Sequence, residues 1–404
     1  MSFRAEPRTG LLGSGAKGYN PVALLLGSPR DVSTLLDMTE KLTIGFVRRG
    51  FSASGGAENY LQRLAQGIVD LGHEAQLFTT NDWPADEWPF GKLLRFRGNS
   101  PVTFADELRE TLTNVDVLMS LERVWRCDVY RAGDGVHRAW LERRANFETA
   151  WQKLAGAFNR KHREILRLEE SLFADRGAGR VIANSRMVKE EIVRLYNYPA
   201  DKIDIVYNGV PLVAFRSSEE LRAKSRASYG LDANDVAILF VGSGWKRKGL
   251  RFAIEAVEAC GSPKMHLLVA GRGNKYQFKS SRVAFLGEVN DLPALYAAAD
   301  IFLLPTIYDP FSSACLEALA SGIPVITTRA NGFSEIMEDK VHGSIVDLAS
   351  DVEALRDAIL FWADESRRAN ARSTILERAA QFDISKNVEQ TLGILIHAAA
   401  EPAS

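Results

Sequence analysis

The sequence predicts an α/β protein made of two doubly wound, Rossmann-like domains that face each other across a cleft. Short apolar runs alternate with amphipathic segments from residue 42 to residue 398. Turns rich in glycine, serine and charge follow several of those runs, at the strand ends where open α/β sheets bind ligands. A chain of 404 residues also suffices for two full cores.

The expected first domain covers 42–209 and the second 210–381, and a last helical segment, 382–404, returns to the first. Residues 1–41 carry little pattern. Gly10, Gly13, Gly15 and Gly18 interrupt any helix, and the apolar run at 24–26 is too short for a signal-peptide core. The expectation there is a disordered extension, with Met38, just before the first strand, as an alternative start.

Composition narrows the function classes. Contents of 46% hydrophobic and 25% charged residues are those of an ordinary globular protein. A formal net charge of −1 makes no global case for nucleic acid. Cys127, Cys260 and Cys315 are too scattered for a disulfide framework or a zinc pattern, which fits a reducing cytoplasm. The histidines show no HExxH spacing, and no Asp-x-Asp is present to hold a metal on a nucleotide sugar. No apolar run approaches the ~18 residues needed to span a bilayer.

In chain order, 42–47 is the first expected strand. Leu61, Leu64, Ile68 and Leu71 then recur at helical spacing, Gly72 closes the helix, and 75–79 is the next strand of a βαβ unit. Gly55 and Gly56 stand at the strand-to-helix turn. They form either a tight turn or a place where backbone approaches a ligand. Glu58 fits a helix-start carboxylate. Residues 115–120 form another strand, and AGDGVHR at 132–138 is a glycine-flanked turn carrying Asp134 and His137. His137 stands in that turn and not on an apolar face, so it is either a site residue or a solvated loop histidine.

Residues 140–167 are expected to be one long helical tract. From Arg138 to Arg167, eight basic residues stand against Glu142, Glu148 and Glu164, with Trp140, Phe147, Trp151, Leu154 and Phe158 interleaved. That pattern suits an anionic membrane surface or a phosphorylated acceptor, and equally a solvated face over a core stripe. Strands follow at 180–184 and 203–207, and the turn of Asn208, Gly209, Val210 and Pro211 marks the domain boundary.

The second domain opens with a strand at 236–241 and the turn GSGWKRKG at 242–249. It is no Walker loop, because Leu250 follows Gly249 where that motif needs Lys and Ser/Thr. It is a poor dinucleotide fingerprint, because bulky basic residues fill the turn. Arg247 and Lys248 fit a cationic clamp on a diphosphate, with Ser243 of the same turn as a donor-binding residue, the alternative being a surface cluster. Further strands are expected at 267–270 and 283–286, ending at Gly271–Gly273 and Gly287–Val289.

Residues 300–328, DIFLLPTIYDPFSSACLEALASGIPVITT, compress a strand, a loop, a helix and a strand. Ser312, Ser313 and Ala314 would offer unpaired amides at the helix start, a ready phosphate site. Glu317 can accept from the vicinal hydroxyls of a ribose, and Asp309 from the hydroxyls of a sugar beyond the phosphates.

The acidic-x7-Glu spacing of Asp309 and Glu317, followed by LEALASGIPVI, resembles the donor-site signature of the retaining GT-B glycosyltransferases of family 4. Within the family the likeness is to the lipopolysaccharide core glucosyltransferases. It covers about residues 42–398 and is specific in the second half. Asp309 departs from the pattern, which usually has Glu there. The resemblance implies a UDP-sugar donor, UDP-glucose above all, and a glycolipid acceptor in the lipopolysaccharide core. It places Lys248 on the diphosphate, the Gly55–Gly56 turn across the cleft from the phosphates, and Asp134 and His137 on the sugar-facing side. It also implies docking on the inner membrane through 138–167, from the cytoplasmic side.

The resemblance implies retention of anomeric configuration. No carboxylate pair is placed as nucleophile and acid, so no covalent intermediate is expected, and the expected course is front-face attack with the leaving phosphate taking the acceptor proton. Arg247 and Lys248 would supply the charge that a metal supplies elsewhere, so neither metal nor cofactor is expected. A UDP-sugar epimerase of the same shape and a non-catalytic nucleotide-sugar binder are the rival readings.

Overall fold

A computed structural model describes residues 41–52, 55–111, 114–149, 151 and 159–401. The expected N-terminal extension, with Met38, lies outside the described residues.

Among these residues the chain builds two wholly parallel sheets. The first contains β1 (Thr43–Val47), β2 (Glu74–Thr80), β3 (Leu93–Phe96), β4 (Val117–Ser120), β5 (Cys127–Ala132), β6 (Ala178–Ala183) and β7 (Ile203–Ile205), in the order β3-β2-β1-β4-β5-β6-β7. The second contains β8 (Val236–Val241), β9 (Met265–Ala270), β10 (Val283–Gly287), β11 (Ile301–Leu304), β12 (Val325–Thr328) and β13 (Gly343–Val346), in the order β10-β9-β8-β11-β12-β13. The central strands of a parallel sheet are covered on both faces and so are buried along their length. All four residues of β11 and of β12 are buried. In each sheet the strand order reverses once, between β1 and β4 and between β8 and β11. Such reversal points open a crevice at the carboxyl ends of the strands.

The crossovers of the first sheet include α1 (Gly56–Asp70), α2 (Pro101–Glu110), α3 (His137–Ala145), α4 (Arg160–Phe173) and α5 (Arg186–Tyr196). The second sheet is flanked by α6 (Glu219–Ser228), a short turn α7 (Trp245–Lys248), α8 (Leu250–Ala259), α9 (Leu292–Ala298), α10 (Ser313–Ala320), α11 (Val352–Ala363) and α12 (Glu365–Ala379). A last helix, α13 (Ile384–Ala400), crosses back and lies on α1 and on β4–β6. Its crossing is tight. A Cβ on Gly67 of α1 would come within 2.8 Å of Val388, and one on Gly209 within 2.6 Å of the Ile384 backbone. Val210 and Ile384 exchange backbone hydrogen bonds with the other segment, Val210 N to Phe382 O at 3.0 Å and Ile384 N to Val210 O at 3.1 Å.

The expected single tract over 140–167 is not continuous. Helix α3 ends at Ala145 and α4 begins at Arg160, and the described residues 146–149 between them are turn and coil. Tertiary contacts account for the break. Phe147 packs its ring 5.9 Å from Phe252 of α8. Glu148 pairs with Arg144 at 3.0 Å and with Lys246 at 3.4 Å. Trp140 stacks on Tyr308 with centroids 6.4 Å apart. Trp140 and Phe147 therefore face the second domain. Trp151 is 80% exposed, and Leu154 and Phe158 lie outside the described residues. Several of the basic side chains are engaged as well, Arg143 with Glu191 at 2.8 Å and Arg160 with Glu164 at 2.8 Å.

Candidate active site at the two strand-order reversals

The loop after β8 and the loop after β11 meet above the reversal point of the second sheet. Three glycines let the first loop turn so sharply: Gly242, Gly244 and Gly249 have φ of 149°, 71° and 76°. At Gly249 a Cβ would lie 1.8 Å from the Pro305 carbonyl oxygen, so only glycine fits. The Arg247 carbonyl accepts from Ile307 N and from the Thr306 hydroxyl, both at 2.9 Å, which pins the basic turn to the second loop. The Lys248 ammonium reaches Asp309 in a well-buried ion pair. Asp309 is fixed in turn by backbone bonds of 2.9 Å, from its amide to the Ala330 carbonyl and from the Gly332 amide to its own. Ser243 accepts at Oγ from Arg272 N, 3.1 Å away.

Helix α10 begins where the second loop ends. Here the structure corrects one expectation. The Ser312 amide is not free: it donates to Asn331 Oδ1 at 3.2 Å, and the Ser312 hydroxyl accepts from Cys315 N at 3.4 Å. Ser312 is thus the buried N-cap. Ser313 and Ala314, the first two helical residues, carry the amides that a helix start leaves unpaired, and both are partly exposed. Asn208, arriving from the end of the first domain, donates to the Ser313 hydroxyl at 3.0 Å. Beneath the helix start, burial pushes the Cys315 thiol up to about 12, so it is no thiolate nucleophile.

Glu317, one turn on, is half-buried. Burial pushes its carboxyl up to about 7, against the pull of Arg63 from α1 and a 3.1 Å hydrogen bond from the Tyr296 hydroxyl. Beyond the basic turn, Trp245, Gly271, Arg272, Gly273, Phe285 and Glu288 line a hollow of about 500 Å³ at the ends of β8, β9 and β10. A Cβ on Gly273 would come within 2.3 Å of the Trp245 ring.

The first domain answers from its own reversal point. Gly55 caps α1, and a Cβ there would meet Glu58 Oε2 at 1.8 Å, whereas the Cβ direction of Gly56 is open. Glu58 is not merely a helix-start carboxylate. It holds Arg48 at 3.0 Å, and Arg48 extends to Asp134 at 3.4 Å. The Asp134 side chain keeps 52% of its surface exposed. Desolvation by the cleft walls works to raise its carboxyl, but Arg48, Arg123 and Arg247 outweigh it and hold it below the usual carboxylate range. Arg247 belongs to the second domain, so this attraction crosses the cleft.

His137 differs from Asp134. Its Nε2 lies 3.0 Å from Nδ1 of His162, and burial with Arg123, His162, Arg144 and Lys161 pushes it down to about 3. It is a neutral imidazole turned toward α4. The open group of this turn is Asp134.

The structure thus brings Ser243, Arg247, Lys248, Asp309, Ser313, Ala314 and Glu317 to one wall and Asp134, Gly55 and Gly56 to the other. It also supplies residues that local pattern does not reveal. Glu335 accepts from Arg186 N at 2.8 Å and Met187 N at 2.7 Å, capping α5 from the other domain. Tyr308 enters the core of the first domain and is fully buried there. Asn331 and Glu169 organise loops through their side chains: Glu169 accepts from the amides of His137 and Arg138 at 2.6 and 3.0 Å. Only Tyr308, beside Asp309, had a signal within the motif.

Comparison with known proteins agrees with this geometry. Residues 54–213 match the sequence-family model for Glycosyltransferase Family 4, and residues 235–365 match that for Glycosyl transferases group 1. An uncharacterized glycosyltransferase of Methanocaldococcus jannaschii is 28% identical over 320 residues, 72% of this chain and 80% of that protein. The crystal structure of WaaG, a glycosyltransferase involved in lipopolysaccharide biosynthesis, superposes with a TM-score of 0.75 at 20% identity, covering 87% of this chain and 99% of WaaG. Anabaena HepE in complex with UDP-glucose superposes with a TM-score of 0.69 at 22% identity, covering 88% of this chain and 100% of HepE. Both halves of the chain, with their facing sheet crevices, place it among the family 4 glycosyltransferases of GT-B fold.

Proposed function

We propose that this glycosyltransferase moves glucose, with retention of anomeric configuration, from UDP-glucose to a hydroxyl of a lipopolysaccharide core or related glycan, and that it needs no divalent metal. The observation that carries the proposal is the convergence on one wall of the Lys248–Asp309 pair, the Ser313 and Ala314 amides and Glu317, with Asp134 opposite.

The amides and Lys248 bind the diphosphate, and Arg247 and Lys248 neutralise charge as it develops on the leaving group. The hollow beside Trp245 takes the base and Glu317 the ribose. When the diphosphate draws Lys248 away, Asp309 is released to accept from the donor sugar. The acceptor hydroxyl attacks from the leaving-group face. The bond from the anomeric carbon to the phosphate oxygen breaks, the new glycosidic bond forms on the same face, and the acceptor proton passes to the departing phosphate. Positioning and charge stabilisation supply the rate. UDP-glucose bound to HepE and the lipopolysaccharide role of WaaG support the choice of donor and acceptor.

No helix among the described residues is long and apolar enough to cross a membrane. The exposed Trp151 and the excess of basic residues in the sequence from 138 to 167 support contact with an anionic lipid surface.

The test is transfer from UDP-, GDP- and ADP-sugars to truncated lipopolysaccharide, with and without EDTA, the product anomer being read by NMR. Transfer from UDP-glucose that EDTA leaves intact is expected. Turnover only with magnesium, an inverted product, or isomerisation of the donor without acceptor would overturn the proposal.

A further inference from the structure

Tyr308 stands one residue before Asp309 on the donor loop, yet its side chain belongs to the other domain. Its hydroxyl donates to Glu191 of α5 at 2.8 Å and accepts from the Val136 amide at 2.9 Å. Arg143 of α3 holds the other oxygen of Glu191 at 2.8 Å. The ring is stacked on Trp140, and the Arg143 guanidinium lies 5.3 Å from its centroid. Gly135, with φ of 71°, makes room for it: a Cβ there would lie 2.4 Å from the Tyr308 oxygen.

The partners are specific. Gly135 and Val136 immediately follow Asp134, so one side chain spans the interval between Asp309 and Asp134, the two carboxylates that the proposed function sets on opposite walls of the cleft. The ordinary reason to bury a tyrosine at an interface is area. That reason does not require its hydroxyl to be saturated by one backbone amide and one carboxylate, nor a left-handed glycine beneath it. A hydrogen-bonded hydroxyl in a dry site fixes position to a fraction of an ångström, and reaction rates respond to displacements of that size.

We propose that Tyr308 is a positioning residue that sets the distance between Asp309 and Asp134 by locking the 134–137 turn to the donor loop. Its kinetic consequence rests on the sugar-transfer reading above, and its structural consequence does not. In that reading the groups that hold the nucleotide and diphosphate lie on the second domain, so losing the hydroxyl affects turnover far more than donor affinity.

Tyr308→Phe keeps the ring and its packing. In steady-state kinetics kcat is expected to fall at least tenfold while the donor KM stays within twofold. Glu191→Gln is expected to give part of that loss, and the double variant no more than Tyr308→Phe alone, since both act through one chain of hydrogen bonds. The arm that needs no catalysis is hydrogen exchange of the peptide covering 133–138 in the unliganded protein. Tyr308→Phe is expected to speed exchange at Val136 at least tenfold with the other segments of α3 and α5 unchanged. An unchanged kcat in an active enzyme, or unchanged exchange at Val136 whether or not the protein transfers sugar, would overturn the role. Absence of transfer by the wild type with faster exchange in the variant would overturn only the sugar-transfer reading. A parallel rise of KM and loss of global protection would show Tyr308 to be mere packing, which also overturns it.

Discussion

At the residue scale, Glu317 makes a prediction whose sign is fixed by its environment. Its folded value of about 7 lies above the ordinary 4.5. The folded chain therefore holds that proton more tightly, so the contribution to stability is present below pH 4.5 and is lost as pH rises through 7. In its proposed role donor binding should run the other way, because a ribose diol needs the ionised carboxylate as acceptor. A nucleotide sugar, esterified at both ends of its diphosphate, does not titrate here. Donor affinity measured by calorimetry should rise by up to about tenfold per pH unit below 7 and level off above it. Glu317→Gln should bind weakly and without that slope.

Lys248 and Asp309 offer a second test at the same scale. Lys248→Ala removes a cation from the leaving group and leaves a buried carboxylate without its partner. Turnover is expected to fall about 10²–10³-fold, and the melting temperature to fall with it. Adding Asp309→Ala should restore the melting temperature, which traces the stability loss to the unpaired carboxylate, and should leave turnover low because both groups serve the donor in the proposed reaction.

At the scale of elements, the sharp turn after β8 depends on one position. Gly249→Ala would force a Cβ onto the Pro305 carbonyl from a left-handed backbone. The expected result is a loss of at least about 1–2 kcal/mol in chemical denaturation and weak donor binding, since Arg247 and Lys248 lose their seat. Elements were legible in the sequence where one local force decides. Residues 301–304 and 325–328 are strands as expected, because short apolar runs between turn residues suit a strand covered on both faces. The short strand Leu93–Phe96 was not legible, being a half-exposed sheet edge without alternation. The break at Asn146 was not legible either. Phe147 and Glu148 leave the helix for partners about a hundred residues away, which no local periodicity encodes.

The same rule separates the parts of the site. The basic turn and the start of α10 follow from glycine, proline and capping chemistry within a few residues. The Ser312 amide went astray because its acceptor, Asn331, lies beyond the following strand. The inward turn of His137 depends on His162, on a different helix.

For the whole molecule, α13 is the tie that makes two sheets one body. Val388, Leu392 and Leu395 are buried against the first domain. At roughly 1.5–3 kcal/mol for each such side chain, their loss would remove about 5–9 kcal/mol, as much as a typical domain possesses. A chain ended after Asp383 is expected to be insoluble or to melt without a cooperative transition by circular dichroism, whereas Val388→Ala alone should lower the midpoint by several degrees.

Contacts between the halves are unequal in depth. On the cleft floor Tyr308 and Asn208 are buried, but at the rim Arg272 meets Ser52 at 2.7 Å and Lys246 meets Glu148 at 3.4 Å with both cations in water. Two such wet contacts cost only about 1 kcal/mol each to break. The mouth is therefore expected to open more readily than the base, so a ligand held between the walls is expected to leave by a small rocking of them and not by separation of the halves. Raising the ionic strength should favour that opening, because the outer ion pair is the one that dissolved salt reaches first.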